Sequence, residues 1–592
     1  MTTKNTLLLG ALLLLSGRLS AQTYNPLWVP DTLAGTNFNL AVKDTFAQLV
    51  PGNQTITAGI NRSRFWGPTL IMTRGTTVHL NVTNSLNDTT TLHWHGMHTP
   101  AVMDGGPFQT IPPGTVWRPY WTVKNQAATL WYHPHLHRMT QAQVTKGVGG
   151  FIIIRDAAEA ALPLPRKYGL DDFVLALTSR RFLSSNQMAA TLSDNYGDYM
   201  LVNGTLNPQV SLPRQVVRLR ILNAEVQRGY NLGFSDNRTF YVIGNDGGLL
   251  NAPVAVTRLA VQTGERYEIL VDLTGSAVGS SLFLKSYNST AELLAILPGT
   301  QTGNAAFGWP GQEGRSSPPR GTSGPLNGGL LNNVDFNVLK INVGAAMANA
   351  RTTIPTTLIN NTYWAAANAT NARTITVTGG QGGTAFSLGN QFYSAARTNH
   401  TVSLNALESW TVTNNNIFGH AFHLHDVSFK IISRSGGNLG TTIRPYEQGW
   451  KDVVWVPNGA SVTFLAKFED YADPSWPYMY HCHALTHEDE GMMGSFKVIG
   501  SPTAVTAAAR AAAGFSVYPN PAQGRLAIGF NTPGASAYYV RVTDAVGRTI
   551  YMLPRPQLAQ GLDVSGFVPG VYYVQLTDEQ TRITTTQSFV KE

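Results

Sequence analysis

Ten of the fourteen histidines stand in four tight groups: His93-Trp94-His95, His133-Pro134-His135, His420-x-x-His423-x-His425, and His481-Cys482-His483 followed by His487. Between His137 and His400 there is none. Imidazole is the commonest metal ligand, and a spacing of two puts both rings on one face of a strand. One such pair is weak evidence for a metal. Four of them in a chain this poor in histidine point to a shared metal centre.

Strand parity sorts the ligands. In His481-Cys482-His483 the two imidazoles face one side and the thiol the other, so the tripeptide must serve two centres at once. His420 has parity opposite to His423 and His425, which sends it to the side of Cys482. With His487 and Met492 this makes a His₂Cys set with a weak axial thioether, the pattern of a blue-copper electron-transfer site. Structural zinc would be richer in cysteine and closed. The remaining His93, His95, His133, His135, His423, His425, His481 and His483 suit about three coppers with open positions, a catalytic stoichiometry.

Rigid strands must hold these groups, and the composition fits that demand. The chain has 592 residues, enough for several domains at roughly 100–200 residues each. Charged residues make up only 13%, with 57 Gly and 32 Pro, which disfavours disorder and coiled coils and favours turn-rich β structure. Alternating runs at Thr77 to Val82, Phe151 to Ile154, Val216 to Leu222, Tyr267 to Leu273, Leu339 to Val343, Thr374 to Val377, Ser461 to Phe468 and Ser495 to Ile499 read as strands. The segment from Pro68 through Gly75 to Asn84 is weakly repeated from Pro208 to Asn223, and its tail again from Val402 to Asn414. The expected fold is all-β: three sandwiches over 22–157, 158–347 and 348–500, an Ala-rich linker over 501–513, and a small β-sandwich over 514–592. The Gly/Pro/Ser-rich stretch 299–329 reads as a long loop or part of a linker.

Residues 1–21 read as a secretory signal peptide, with Lys4 before the apolar run Leu7 to Leu15 and Leu19-Ser20-Ala21 before the cut. No other stretch approaches the ~20 apolar residues of a transmembrane helix. The net charge of +8 is spread without Lys/Arg clusters, so nucleic acid is not an expected partner. Cys482 is the only cysteine, which leaves stability to packing.

With these motifs the chain resembles the multicopper oxidases, in particular the bacterial three-domain laccase, spore-coat and cuprous-oxidase branch. The resemblance covers most of residues 50 to 500. It implies three cupredoxin-like Greek-key domains, the first and third supplying every ligand, and four copper ions. His420, Cys482, His487 and axial Met492 would bind type 1 copper, His93 and His423 type 2, and the other six histidines the type 3 pair. It also implies one-electron oxidation of a small reducing substrate (phenols, aromatic amines or Cu(I)) coupled to reduction of dioxygen to water. That reduction consumes protons, and Asp104 and Glu488 match the family's relay carboxylates; Glu488 has the rival reading of a hydrogen-bond partner to a ligand. Trp450 matches a segment that lies near the type 1 site, with a core role equally open.

The twelve methionines are dispersed, which favours phenolic and aromatic donors over a dedicated Cu(I) substrate. A nitrite reductase would need no His-Cys-His tripeptide, and a non-catalytic envelope scaffold would be expected to have lost ligands. His79 and His400 read as exposed, and His98 and His137 as lying beside the ligands or on the surface. At the C-terminus, Phe515 to Ala522 and Gly570 to Val574 resemble the sorting domain of type IX secretion cargo. That implies export across the periplasm to the cell surface or medium; an accessory sandwich is the alternative.

Overall fold

Every run singled out above by its alternation is a strand, and the weak internal repeat explains how the strands are arranged. In a computed structural model, the first strand of each repeat (Thr69–Thr73, Pro208–Pro213, His400–Ser403) runs parallel to the last strand of its sandwich (Gly150–Arg155, Asp335–Gly344, Met493–Ile499). The second (Thr77–Ser85, Val216–Asn223, Leu407–Asn414) crosses to the other sheet and runs parallel to its first long strand (Asn37–Ala47, Asp172–Arg180, Asn371–Thr378). Such a crossing strand pair is what a Greek-key sandwich requires. Three copies of it give three cupredoxin-like sandwiches. The structure describes the chain from residue 22 on, apart from 190–195, 290–330, 332–333, 380–384, 417, 438, 501–514, 531–537, 546, 554–560 and 579–583. The expected signal peptide, the Ala-rich linker and the 299–329 stretch lie outside the described residues.

Burial distinguishes the sandwiches. Thr77–Ser85 alternates between core and solvent, as a strand with one wet face must. By contrast, Asp172–Arg180 and Val216–Asn223 are buried throughout. Leu175, Leu219 and Ile221 face the middle sandwich's own core, whereas Val174, Ala176 and Leu222 pack against Trp66, Trp131 and Phe151 of the first sandwich. That interface also carries buried charge: Glu268 accepts from Arg218 Nε at 3.0 Å, from Arg220 Nη1 at 2.9 Å and from Thr129 Oγ1 of the first sandwich at 2.6 Å.

Two boundaries differ from those drawn on the sequence. Asn25–Pro26 pairs with Pro208–Pro213 and so joins the middle sandwich, not the first. Residues after 347 also stay with the middle sandwich: Leu358 enters its core and donates its N–H to Asn251 O at 2.8 Å. The third sandwich proper begins at Asn371–Thr378.

The chain divides into two units, Met1–Ser501 and Pro502–Glu592. The second unit has sheets of three and four strands, Phe515–Tyr518 to Leu562–Asp563 and Thr549–Leu553 to Thr584–Lys591, closed over Leu526, Val540, Val542, Val574 and Phe589. Among the described residues no helix is long and apolar enough to cross a membrane.

Candidate metal centres

Two hydrogen-bonded strands build one side of the site. His420–Leu424 and Tyr478–Cys482 run antiparallel with Phe422 opposite Cys482 and His423 opposite His481. Strand parity then does what the sequence predicts. His420 and Cys482 point into the third sandwich's core, and His423, His425, His481 and His483 point away from it. On the other side, His133 follows the strand Thr129–Tyr132 of the first sandwich and exchanges backbone hydrogen bonds of 2.8 and 3.0 Å with His93. This bridge brings the pairs His93/His95 and His133/His135 together. The short helix Leu485–Asp489 adds His487 to one group and Glu488 to the other.

The cysteine group is compact. Cys482 Sγ lies 3.5 Å from His420 Nδ1 and 3.5 Å from His487 Nδ1. The Phe386 ring covers both imidazoles, with centroids 5.0 and 4.5 Å away. Met492 is buried in the same core and its carbonyl accepts the Cys482 N–H at 3.1 Å. Burial pushes the Cys482 thiol up to about 12 and holds His487 down to about 3.

The eight other histidines form one cluster between the first and third sandwiches. His95, His133 and His483 make one triangle, His135, His425 and His481 a second, and His93 and His423 join with His95. Ring nitrogens converge: His135 Nε2 to His481 Nε2 at 3.1 Å, His425 Nε2 to His481 Nε2 at 3.3 Å, and His483 Nε2 to His95 Nδ1 at 3.2 Å. On six of the rings the opposite nitrogen is anchored. Nδ1 of His93, His133, His423 and His481 meets the carbonyls of Asp104, Pro134, Asp452 and Cys482 at 2.8–3.1 Å. His425 Nδ1 reaches Asp104 Oδ2 at 2.8 Å, and His95 is reversed, with Nε2 at 3.2 Å from Asp452 Oδ1.

These anchors fix the chemistry of the cluster. A neutral imidazole that donates one N–H to an acceptor presents a lone pair at its other nitrogen. Burial keeps six of the rings neutral, lowering His135 and His483 to about 3 and His95, His133, His423 and His425 well below their usual value. Nε2 of His93 and of His423 is buried with no hydrogen-bond partner among the described residues. Lone pairs facing lone pairs at 3.1–3.4 Å repel unless a cation stands between them. The residues fit a cluster of metal ions with imidazole ligands and acceptors behind them.

Both sequence-predicted carboxylates are at the cluster. Asp104 stands on His425 and lies 3.4 Å from His93 Nδ1. Glu488 bridges His135 Nδ1 and His481 Nδ1 at 3.2 Å each. Burial pushes its carboxyl up, but the two rings outweigh that and hold it below the usual range. Trp131 walls the cluster, stacked on His133 at 4.1 Å.

The peripheral histidines divide. His79 is exposed as expected. His400 is not: it is half-buried against Trp410 and Tyr480, because the strand His400–Ser403 turns it under the sheet. His98 pairs with Asp470 at 2.6 Å, and His137 packs on Tyr393. Trp450 packs on Tyr363 and Trp364, and its neighbour Asp452 faces the histidine cluster rather than Cys482. Asp452 and its partner Arg266 were not foreseen as site residues. Their only sequence signal is charge inside apolar strand text.

Three Greek-key sandwiches that enclose a Cys/His₂ group and an eight-histidine cluster define the architecture of a multicopper oxidase. Models of the multicopper oxidase family match residues 42–159, 178–292 and 334–501, and a secretion system C-terminal sorting domain matches 516–592. The chain is 30% identical over 450 residues to a cell division protein FtsP of Sodalis glossinidius, covering 76% of this chain and 86% of that one. It is 29% identical over 469 residues to the multicopper oxidase mco of Staphylococcus haemolyticus, covering 78% and 88%. Among solved structures it is similar to a laccase-like multi-copper oxidase CueO from the lignin-degrading Ochrobactrum sp. (29% identity, TM-score 0.67, 80% of this chain and all of that one). The chain belongs to the multicopper oxidase family and carries a type IX secretion sorting domain at its C-terminus.

Proposed function

We propose that this protein is an exported, laccase-like oxidase with four copper ions, which couples one-electron oxidation of phenolic or aromatic donors to reduction of dioxygen to water. In this reading His420, Cys482 and His487, together with Met492, would hold type 1 copper. His93 and His423 hold type 2, and His95, His133, His483, His135, His425 and His481 hold the type 3 pair. Copper bound at the two groups would supply the one-electron steps and the site where dioxygen is reduced.

The observation that carries the reading is the convergence of anchored, neutral imidazole nitrogens beside a separate Cys/His₂ group. The chain's own residues then have definite tasks. Backbone and carboxylate acceptors orient the rings of His93, His95, His133, His423, His425 and His481. Trp131 and Phe386 exclude water from the two groups. Asp104 Oδ2 and the Glu488 carboxylate hold and pass protons at the cluster edge, where water formation consumes them. The His481-Cys482 peptide joins the two groups by covalent bonds.

Preference for phenolic donors is supported by the dispersed methionines and by the likeness to the Ochrobactrum enzyme, whose reported activity is toward lignin model compounds and lignosulfonate. Oxygen uptake by the copper-loaded protein, with a phenol and with Cu(I) in parallel, tests it. Faster uptake with the phenol is expected; faster uptake with Cu(I) overturns the donor assignment in favour of a cuprous oxidase. Uptake with neither overturns the oxidase reading and leaves a scaffold role like that suggested by the cell division relatives' name.

A further inference from the structure

Among its described residues the middle sandwich contributes none to either candidate group, yet its Arg266 reaches the cluster. Arg266 is fully buried at the start of strand Arg266–Asp272, and its guanidinium donors are all engaged. Nε donates to Thr129 O of the first sandwich at 3.2 Å; Nη1 donates to Gly264 O at 3.0 Å and to Asp452 Oδ1 of the third at 2.6 Å. Nη2 donates to Asp246 O at 3.0 Å and to Asp452 Oδ2. One side chain thus ties three sandwiches together beside the cluster.

Its partner Asp452 anchors two histidines. The carboxylate accepts from His95 Nε2 at 3.2 Å and the carbonyl from His423 Nδ1 at 2.8 Å. His95 is the histidine that turns Nδ1 inward, so it needs an acceptor at Nε2 to hold that tautomer. Asp452 provides it, and the bidentate Arg266 fork fixes where Asp452 points. Two glycines make room for this arrangement. A Cβ on Gly96, at φ +84°, would sit 2.6 Å from Asp452 Oδ2, and one on Gly264, at φ +80°, would sit 2.8 Å from the His483 ring. Both positions therefore favour glycine on conformation and on space.

We propose that Arg266 is a positioning residue of the histidine cluster: acting through Asp452, it sets the tautomer and orientation of His95 and the seat of His423, so that the ligand-free sandwich controls metal loading. This rests on the reading that the eight histidines bind copper. The test uses the full chain and variants R266M, R266K and D452N, with copper affinity measured by chelator competition and the two centres followed separately by the visible thiolate band and by EPR. Wild type should fill both groups. R266M and D452N should keep the cysteine-group copper and its band but bind copper at the histidine cluster about 10- to 100-fold more weakly, with an altered EPR signature; R266K should lie between. If removal of the arginine prevents folding, the near-isosteric D452N carries the test. Wild-type affinity and signature in R266M and D452N overturn this inference alone, whereas a wild type that binds no copper at the histidines overturns the parent reading and this one with it.

Discussion

His481 and Cys482 are adjacent in one strand and serve different groups: His481 Nε2 lies 3.1 Å from His135 Nε2, while Cys482 Sγ lies 3.5 Å from His420 Nδ1. The alternation of a β-strand produces this split. A one-residue register slip would send both side chains to the wrong side.

Replacing Cys482 with Ser should therefore separate the two groups functionally. The intense visible thiolate-to-copper band and donor oxidation should be lost, while the histidine cluster still loads copper, as metal analysis and EPR would report. A variant that kept its colour would contradict the assignment of Cys482.

For the carboxylates, D104N and E488Q should leave the thiolate band intact and bleachable by donor. Steady-state oxygen consumption should fall on the order of 10²-fold or more, because proton supply at the cluster is impaired. Stopped-flow reoxidation after bleaching is the measurement, and wild-type reoxidation rates in both variants would contradict the relay role.

Glu268 makes a prediction about stability. Burial raises its carboxyl, but Arg218 and Arg220 outweigh that and bring it to about 2. A depressed carboxylate stabilises the fold above its unfolded value of ~4.3, and that contribution is lost as pH falls through about 2. E268A should cost about 2–3 kcal/mol at neutral pH by removing the carboxylate shared by two buried guanidiniums, which keep only Glu159 (Arg218) and Asp172 (Arg220). Denaturant unfolding against pH measures both, and an E268A loss below about 1 kcal/mol would contradict the network's role.

His400 works with the opposite charge type. Burial, then Arg373, lowers it to about 4, so the fold holds it neutral. Its contribution is full above the unfolded value of ~6.5 and declines as pH falls from there toward about 4. Allowing for its partial exposure, the loss should be about 1–2 kcal/mol. H400Q should flatten this part of the stability profile in thermal melts, and an unchanged slope would contradict the assignment.

The two candidate groups were legible in the sequence because a period of two translates directly into sides of a strand. That alone separated Cys482 and His420 from His423, His425, His481 and His483. The anchors were not legible, because they come from distant positions. Asp452 reaches His95 across 357 residues and Arg266 reaches Asp452 across 186, with no spacing rule connecting them. The same holds for the boundaries. Asn25–Pro26 and Leu358 belong to the middle sandwich because a sheet edge and a core gap there receive them, which local pattern does not encode. His400 misled for a related reason: Asn-His-Thr reads as a turn, but its strand is parallel-paired with Met493–Ile499 and carries the ring inward.

The most direct test of the central claim is the ratio of donor oxidised to dioxygen consumed by the copper-loaded chain, with hydrogen peroxide assayed in parallel. A cysteine-group copper feeding a histidine cluster that reduces dioxygen fully predicts four electrons from donor per dioxygen and no peroxide. Two electrons per dioxygen with accumulating peroxide, or no uptake by a fully loaded protein, would contradict it.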